Sequence, residues 1–486
     1  MVAGNLARKM SRPIETEIHI SESPVKWCSV SLSDMISCGK RLEASVFDVE
    51  AKQAQETVKC GRYKSLPLIG EHSPVKCAYY GGRLKRNYVS KEHKSSVGFV
   101  GSSEMLDIMP KPIKFMVNSP AINDLRVSYG MILLSRSGTI GNLTFVNKTL
   151  SKLLVSEHAI RLECRDFPGY VYAFLKSKTG QLLIKANIFG SVISEIEPAH
   201  IAEIQIPDAP MMLKQRIHDL IVGSYALRDE SNKLIDTATK LMLTELHLPA
   251  IQDFQKTSAP VSTFDVKLSN LDLRLDASYH IPVVDAIVAH LKKYAAEVTT
   301  VGDSRISKTV ILPGRFKRVY VEEGYGRVLV GGKQLGELDP SGKKYLSNTK
   351  HDKIFSSLEV HENTTLITRS GTIGKTMLVP RHWEHWVPSD HIIRVVPVNK
   401  DIAGYLYIFL ASDYGYPLIT HYTCGSVVDE IDDNHVRQIP IPLLQNQEMQ
   451  KQINALALEA NAKRYEAYKL EQQALRIVND EVIYAR

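Results

Sequence analysis

The sequence predicts a mixed α/β chain: two tandem homologous globules, each followed by a long helix, with the two helices pairing as an antiparallel coiled coil and the halves related by pseudo-two-fold symmetry. Three observations predict it. A set of short phrases recurs in the same order about 233 positions later. Each copy strings strand-like segments between glycines and closes on a proline-containing "IxIP". Each copy then runs into about 35 residues of helical apolar spacing that contain no proline.

The repetition fixes the domain plan. "RLEAS" at Arg41 returns as "RLDAS" at Arg274, and "SRSGTIG" at Ser135 returns as "TRSGTIG" at Thr368. "GRLKRNYV" at Gly82 meets "GRFKRVYV" at Gly314, and "HAIRL" at His158 meets "HIIRV" at His391. "GYVYAFL" at Gly169 meets "GYLYIFL" at Gly404, "GSVISEI" at Gly190 meets "GSVVDEI" at Gly425, and "IQIP" at Ile204 meets "IPIP" at Ile439. The period is far too long for a solenoid unit, so a whole domain is duplicated. The expected division is a tail over 1–20, globules over 21–210 and 251–444, and helices over 211–250 and 445–486.

Within a globule, "KFMVN", "MILLS" and "HAIRLE" alternate as strands do. An aromatic helix is expected over Tyr170–Lys185 and again over Tyr405–Thr420. The "IxIP" strand follows, its proline stopping the sheet. In the first long helix Leu213, Ile217, Leu220, Leu227, Leu234, Ala238 and Leu241 form a stripe completed by Ser224 and Ser231. In the second, Met449, Ile453, Leu456, Ala460, Ala467, Leu470, Ala474 and Ile477 do the same, with a lapse at Lys463. The expectation is a narrow coiled-coil seam, each helix roughly 50 Å long, buried against the other.

Bulk properties limit the function. The 486 residues carry a net charge of +7, which permits a polyanionic partner without requiring one. Cys28, Cys38, Cys60, Cys77, Cys164 and Cys424 form no C-x-x-C pair, so a zinc ribbon or dithiol site is not expected, and their scatter suits thiols of a reducing cytoplasm. The first twenty residues hold no apolar core of signal-peptide length, and no run of about 20 apolar residues exists to span a membrane. A cytoplasmic location is expected.

The doubled "SRSGTIG"/"TRSGTIG", the "GS…EI…IxIP" ending and the long helix after each resemble the DNA-specificity subunit of type I restriction-modification systems, over nearly the whole chain after the first twenty residues. The resemblance implies that each globule is a target-recognition domain reading one half of a bipartite, asymmetric target in double-stranded DNA. It implies helices that set the gap between half-sites and dock two copies of an adenine methyltransferase subunit, which bind S-adenosylmethionine. It implies a separate motor-nuclease restriction subunit for cleavage. The chain itself would hold no cofactor and perform no catalysis. The first copy departs from the family pattern in ending "IQIPDAPMMLKQ", without an acidic-glutamine pair before its helix, whereas the second has "NQEMQKQ". Two alternatives stand beside this reading: the specificity subunit of a methylation-based phage-defence system without the motor nuclease, and a protein-binding scaffold.

Candidate DNA contacts follow from residue type. Arg83, Lys85 and Arg86, matched by Arg315, Lys317 and Arg318 and joined by Arg327, are basic residues among aromatics at equivalent places in both copies. Such residues neutralise phosphates and position each head; the alternative is a solvated loop. Arg136 with Ser137, and Arg369 with Ser370, stand in the glycine turns. An arginine there either clamps a phosphate or guanine or pairs with a neighbouring carboxylate. Gly138, Gly141, Gly371 and Gly374 are expected to supply turn conformations. Base-reading residues should differ between copies, which points to Lys91–Lys111 and Gly324–Lys344.

Several phrases invite a chemistry that the spacing denies. "SGTIGKT" at Ser370 has Arg369 where a phosphate-binding loop needs glycine. "SEH" and "SDH", at Ser156 and Ser389, are contiguous, whereas a triad converges in space. "RHWEHW" at Arg381 offers two histidines three apart, but a metal needs further ligands and the first copy has nothing similar. Packing, or a loop particular to the second head, is the expectation there.

Overall fold

The computed structural model describes residues 29–37, 44–138, 140–188, 195–256, 264–271, 274–425 and 428–485. The tail over 1–20, Arg41–Glu43 of the first "RLEAS" and Gly190–Ser194 of the first "GSVISEI" lie outside the described residues. The chain divides into two units. Unit 1 comprises residues up to Leu106, Pro110–Ala226 and Lys469–Arg486; unit 2 comprises Asp107–Met109 and Leu227–Tyr468. The division therefore falls within both long helices, where the expected division put each helix outside the globules.

Unit 1 contains the strands β1 (Ser65–Pro67), β2 (Val75–Tyr79), β3 (Tyr88–Val89), β4 (Ser96–Val100), β5 (Lys114–Val117), β6 (Ile132–Ser135), β7 (Leu143–Phe145), β8 (Leu154–Val155), β9 (Ala159–Cys164) and β10 (Gln205–Pro207). Unit 2 contains β11 (Glu297–Thr300), β12 (Ser307–Ile311), β13 (Tyr320–Val321), β14 (Gly326–Val330), β15 (Lys344–Ser347), β16 (Thr365–Thr368), β17 (Thr376–Leu378), β18 (Val387–Pro388), β19 (Ile392–Pro397) and β20 (Pro440–Leu443). In unit 1 one four-stranded sheet has the order β2-β9-β6-β7, another β3-β5-β4-β8, and β1 pairs with β10. In unit 2 the orders are β12-β19-β16-β17, β13-β15-β14-β18 and β11-β20, the same topology strand for strand. Even the register shift recurs, between Val75 and Cys77 in β2 and between Ser307 and Thr309 in β12. The proline of "IxIP" ends β10 at Pro207 as expected, whereas β20 runs one residue past Pro442. Each of these strands pairs on one side only, where a missing N–H costs no ladder bond.

Period two explains the central strand of each unit. Ile132 and Leu134 of β6 enter the core that holds Tyr170, Tyr172 and Phe174, while Leu133 enters a second core with Val100 and Val155. In β16, Ile367 and Leu366 divide in the same way. The expected aromatic helix is broken in both units, into Pro168–Lys176 and Lys178–Ala186 and into Lys400–Leu410 and Gly415–Thr420. A serine marks each break. Ser177 Oγ donates to Phe174 O at 2.6 Å and accepts from Gly180 N at 3.1 Å; Ser412 repeats this with Phe409 O at 2.6 Å and Gly415 N at 3.1 Å. One hydroxyl thus bonds the end of one helix and accepts an N–H at the start of the next.

Arginine is the least expected residue in these cores. Arg161 on β9 is fully buried and gives its Nη atoms to Ala159 O at 2.8 Å, Val155 O at 2.7 Å and Leu125 O at 3.3 Å. Arg394 on β19 bonds Ile392 O at 3.1 Å, Pro388 O at 2.5 Å and Leu358 O at 2.8 Å. Each guanidinium thereby ties one sheet to the last strand of the other, and to the final carbonyl of a short helix, Pro120–Leu125 or Asn348–Leu358. Terminal helix carbonyls have no intrahelical donor, and the fork supplies one. Burial lowers the pKa of both groups, to about 10 at Arg394, where the charge therefore persists at neutral pH.

The long helices, Met211–Glu245 and Gln447–Ile477 with a π-helical turn Val478–Ile483, bury more than the expected seam. Within unit 1, Arg216 Nη1 meets Glu481 Oε1 at 3.1 Å and Gly223 faces Leu470, an antiparallel register. Within unit 2, Lys463 pairs with Glu230 at 2.8 Å and Arg464 Nε donates to Ser231 Oγ at 3.4 Å. A second row, Ile221, Tyr225, Asn232, Ile235 and Met242, is also buried. Polar anchors on it bind the globules: Tyr225 Oη accepts from Phe145 N at 3.2 Å, and Asn232 Nδ2 donates to Ile108 O at 2.8 Å. On the other helix Glu471 accepts from Tyr172 Oη at 2.7 Å, and Asn454 Oδ1 accepts from Gly404 N at 2.8 Å. The narrow-stripe expectation fails because this second row, aliphatic at Ile221, Ile235 and Met242 and aromatic or polar at Tyr225 and Asn232, is buried as well.

Glycine makes the close approach possible. A Cβ on Gly169 would lie 2.8 Å from the His218 backbone, and one on Gly404 would lie 2.4 Å from Asn454 O. Both are the first letter of the repeated "GYxYxFL". The tyrosine after each donates its hydroxyl to the strand before the long helix, Tyr170 to Pro207 O at 2.5 Å and Tyr405 to Pro442 O at 2.6 Å. Among the described residues Cys60, Cys77, Cys164 and Cys424 are free, and no helix is long and apolar enough to cross a membrane.

Replacing Arg394 by lysine, which keeps charge but loses the fork, should destabilise unit 2 by about 2–4 kcal/mol in urea unfolding, because carbonyls are left without donors. A change under about 0.5 kcal/mol would refute the clamp.

Acid should weaken unit 2. Burial lowers the pKa of His382 and of His421 from the usual 6.5 to about 4. The unfolded chain then binds more protons than the folded one between these limits, so stability is full above pH 6.5 and drains as pH falls toward about 4. Each ring should cost about 2 kcal/mol between pH 7 and pH 5. Urea unfolding at the two pH values should show a shallower loss in His382→Phe.

Candidate nucleic-acid interface

The stretch between the two sheets of each unit, residues 81–87 in one and 312–319 in the other, has no regular secondary structure and alternates in burial. Leu84 and Phe316 turn inward against small apolar clusters. Their neighbours Arg83 and Lys85, and Arg315 and Lys317, are exposed and have no carboxylate partner among the described residues. Four of the candidate cations are thus displayed, two per unit, at equivalent places.

The remaining candidate arginines are engaged within the chain. Arg86 makes a bidentate pair with Glu157, at 2.6 and 2.8 Å, and lies 5.0 Å from the Phe99 ring. Hydrogen bonding to Glu157 raises its pKa despite burial. Arg318 pairs with Asp390, and Arg327 with Glu359. The middle residue of "SEH" or "SDH" is therefore the counter-ion of the third cation in the basic stretch. A carboxylate 71 or 72 positions away gives no local signal of that pairing.

The glycine turns hold together in the same way twice. Arg136 N donates to His158 O at 2.8 Å and Arg369 N to His391 O at 3.0 Å. The Arg136 guanidinium, buried to 7% exposure, reaches Glu195 at 2.9 Å and Glu197 at 2.5 Å and stacks over Tyr80 at 4.3 Å. Burial opposes its charge, and the two carboxylates more than offset that. Arg369 pairs with Glu430 and donates through Nε to Ile431 O at 3.1 Å. Each arginine thus pins the "EI" segment of "GS…EI" to the turn through a carboxylate of that segment. Ser137 Oγ lies 2.8 Å from His158 Nδ1, and Ser370 Oγ lies 2.7 Å from His391 Nδ1. The histidines of "SEH" and "SDH" are residues that sequence reasoning set aside. Their recurrence beside the glycine turn in both copies was the available signal. Gly138 and Gly371 have φ of 77° and 73°, and Gly141 and Gly374 have 92° and 84°, the left-handed values expected of the turns.

The divergent segments contribute to the cores. Lys91–Lys111 contains β4, with Phe99 and Val100 buried, and Gly324–Lys344 contains β14, with Leu329 and Val330 buried. Asp107 belongs to unit 2, where its carboxylate receives Lys375 Nζ at 2.8 Å, the lysine that tempted a phosphate-loop reading. "RHWEHW" is largely packing: Trp383 is fully buried, and His382 stacks on Tyr468 at 3.9 Å and bonds Leu338 O at 2.8 Å.

No family model matches this chain, and no curated protein matches it. Among solved structures it is similar to the S subunit of a type I restriction-modification system from M. genitalium, at 14% identity over 86% of this chain and 98% of that one, with a TM-score of 0.30. A chain from a structure on complex assembly and conformational transition of the type I R-M system has 13% identity over 84% and 98%, with a TM-score of 0.27. The HsdS subunit from Thermoanaerobacter tengcongensis has 13% identity over 88% and 100%, with a TM-score of 0.25.

Stability measurements should separate the two kinds of cation. Arg86→Ala leaves the mostly buried Glu157 unpaired and should cost about 1–3 kcal/mol in thermal or urea unfolding. Arg83→Ala should stay within about 0.5 kcal/mol. Equal costs would mean that the burial alternation does not sort them.

Proposed function

We propose that this chain is the sequence-reading subunit of a type I restriction-modification assembly. Each globule reads one half of a bipartite target in double-stranded DNA. The long helices set the gap between the half-sites and dock two methyltransferase subunits, which hold S-adenosylmethionine and methylate adenine. A motor-nuclease restriction subunit joins for cleavage. The chain itself carries out no bond chemistry and works in the cytoplasm.

One observation carries this reading. Among the described residues the same ten-strand topology occurs twice, and each copy displays a pair of cations with no carboxylate partner among those residues, at the same point between its two sheets. Two copies of one DNA-facing surface suit a ligand whose backbone repeats, since phosphates look alike at both half-sites. The different sequences within the copies suit half-sites that differ.

Combined substitution of Arg83, Lys85, Arg315 and Lys317 by alanine should weaken binding to duplex DNA about equally for all sequences. The slope of log affinity against log salt should fall by about one for each phosphate no longer neutralised. An unchanged slope removes these residues from the interface. Methylome sequencing of a host with and without the chain should return one bipartite motif with a fixed gap. Identical methylomes would end the restriction-modification reading.

A further inference from the structure

Unit 2 contains a cluster that the shared fold does not require. His361, Glu384 and His385 each bring one donor atom to within 4.8 Å of the other two. Backbone pairing creates the meeting. Val360 N donates to Trp386 O at 2.9 Å and His385 N to Val360 O at 2.9 Å, which lays the loop before β16 against the loop before β18. Glu362 N then donates to Glu384 Oε2 at 2.7 Å, and His361 Nδ1 lies 2.6 Å from Glu384 Oε1.

We propose that His361, Glu384 and His385 bind a divalent transition-metal ion of the zinc class. Two imidazole nitrogens and one carboxylate oxygen form a donor set suited to zinc, whereas magnesium and calcium prefer oxygen alone. Zinc bonds of about 2.0–2.1 Å place donor atoms about 3.4 Å apart. The observed spread closes by side-chain rotation, since the three side chains are 55%, 38% and 59% exposed. The ion takes the place of the proton shared between His361 Nδ1 and Glu384 Oε1, and that proton leaves to solvent. An outer carboxylate is already present: Glu359 Oε2 lies 2.8 Å from His385 Nδ1, and Arg327 in turn holds Glu359. Histidine ligands commonly carry such a partner, which fixes ring orientation.

Two further observations separate this group from ordinary surface charge. His385 has φ of 65°, a left-handed conformation uncommon in a residue with a side chain. The shift of 233 that superposes the Val146 N to Met131 O bond on Val379 N to Thr364 O puts Ser128, Ser151 and Lys152 at the three positions in unit 1. The shared fold is therefore built without these donors. The "RHWEHW" histidines expected to lack further ligands find one in the facing loop: His385 is used, His382 is not, and His361 replaces it.

The full chain, stripped with a chelator and titrated with zinc chloride against a chromophoric zinc indicator, should take up one equivalent that the His361→Ala/His385→Ala chain binds at least tenfold more weakly. Glu384→Gln should show an intermediate loss, and magnesium should not compete. Circular dichroism identical to the parent certifies that the exposed substitutions leave the fold intact. Zinc uptake unchanged in the double variant, or no stoichiometric uptake by the parent chain, overturns the site.

Discussion

A buried arginine that reaches from a strand of one sheet to the last strand of the other is the interaction on which each unit depends. A guanidinium without a carboxylate partner is costly to bury, and it persists only where carbonyl oxygens surround it. Arg161 and Arg394 meet that condition in one way only: the adjacent turn, the last strand of the second sheet and the end of a short helix must all converge on them. Apolar burial would hold two sheets together in many registers. The fork accepts very few, so it specifies the angle at which the sheets meet.

That constraint explains why so much else recurs. Once the sheets are fixed, the basic stretch linking them has a fixed path, with Leu84 or Phe316 inside and two cations outside. The third cation falls beside Glu157 or Asp390, which shortly precede the clamp arginine on the same chain segment. The glycine turn then lies against His158 or His391. A structural arginine in the core and a displayed cation at the surface are thus two ends of one arrangement, which is why both copies preserve the pair.

The long helices add a second level. They are not rods attached to globules but parts of the globules, held by Tyr225, Asn232, Asn454 and Glu471 as well as by aliphatic packing. A polar anchor of this kind is satisfied at one position along a helix and unsatisfied one turn away. The orientation of each unit on its helix segments is therefore specified rather than merely favoured, which suits a protein whose proposed work is to hold a reading surface steady.

The amino-acid sequence by itself determined the duplication, the mixed α/β class, the strands around "MILLS" and "HAIRLE", the left-handed glycines of the turns and the two long helices. All of these rest on local periodicity or on repetition, which one dimension contains in full. Tertiary structure alone decided the rest. Which carboxylate pairs with Arg86, Arg136, Arg318, Arg327 or Arg369 depends on partners roughly 30 to 70 residues away, which no local pattern marks. The width of the buried helix face depended on a second row that mixes Ile221, Ile235 and Met242 with Tyr225 and Asn232, whose polar atoms are satisfied only against a neighbouring surface. The meeting of His361 with Glu384 and His385 arose from backbone pairing between two loops, a contact that side-chain spacing along the chain does not encode.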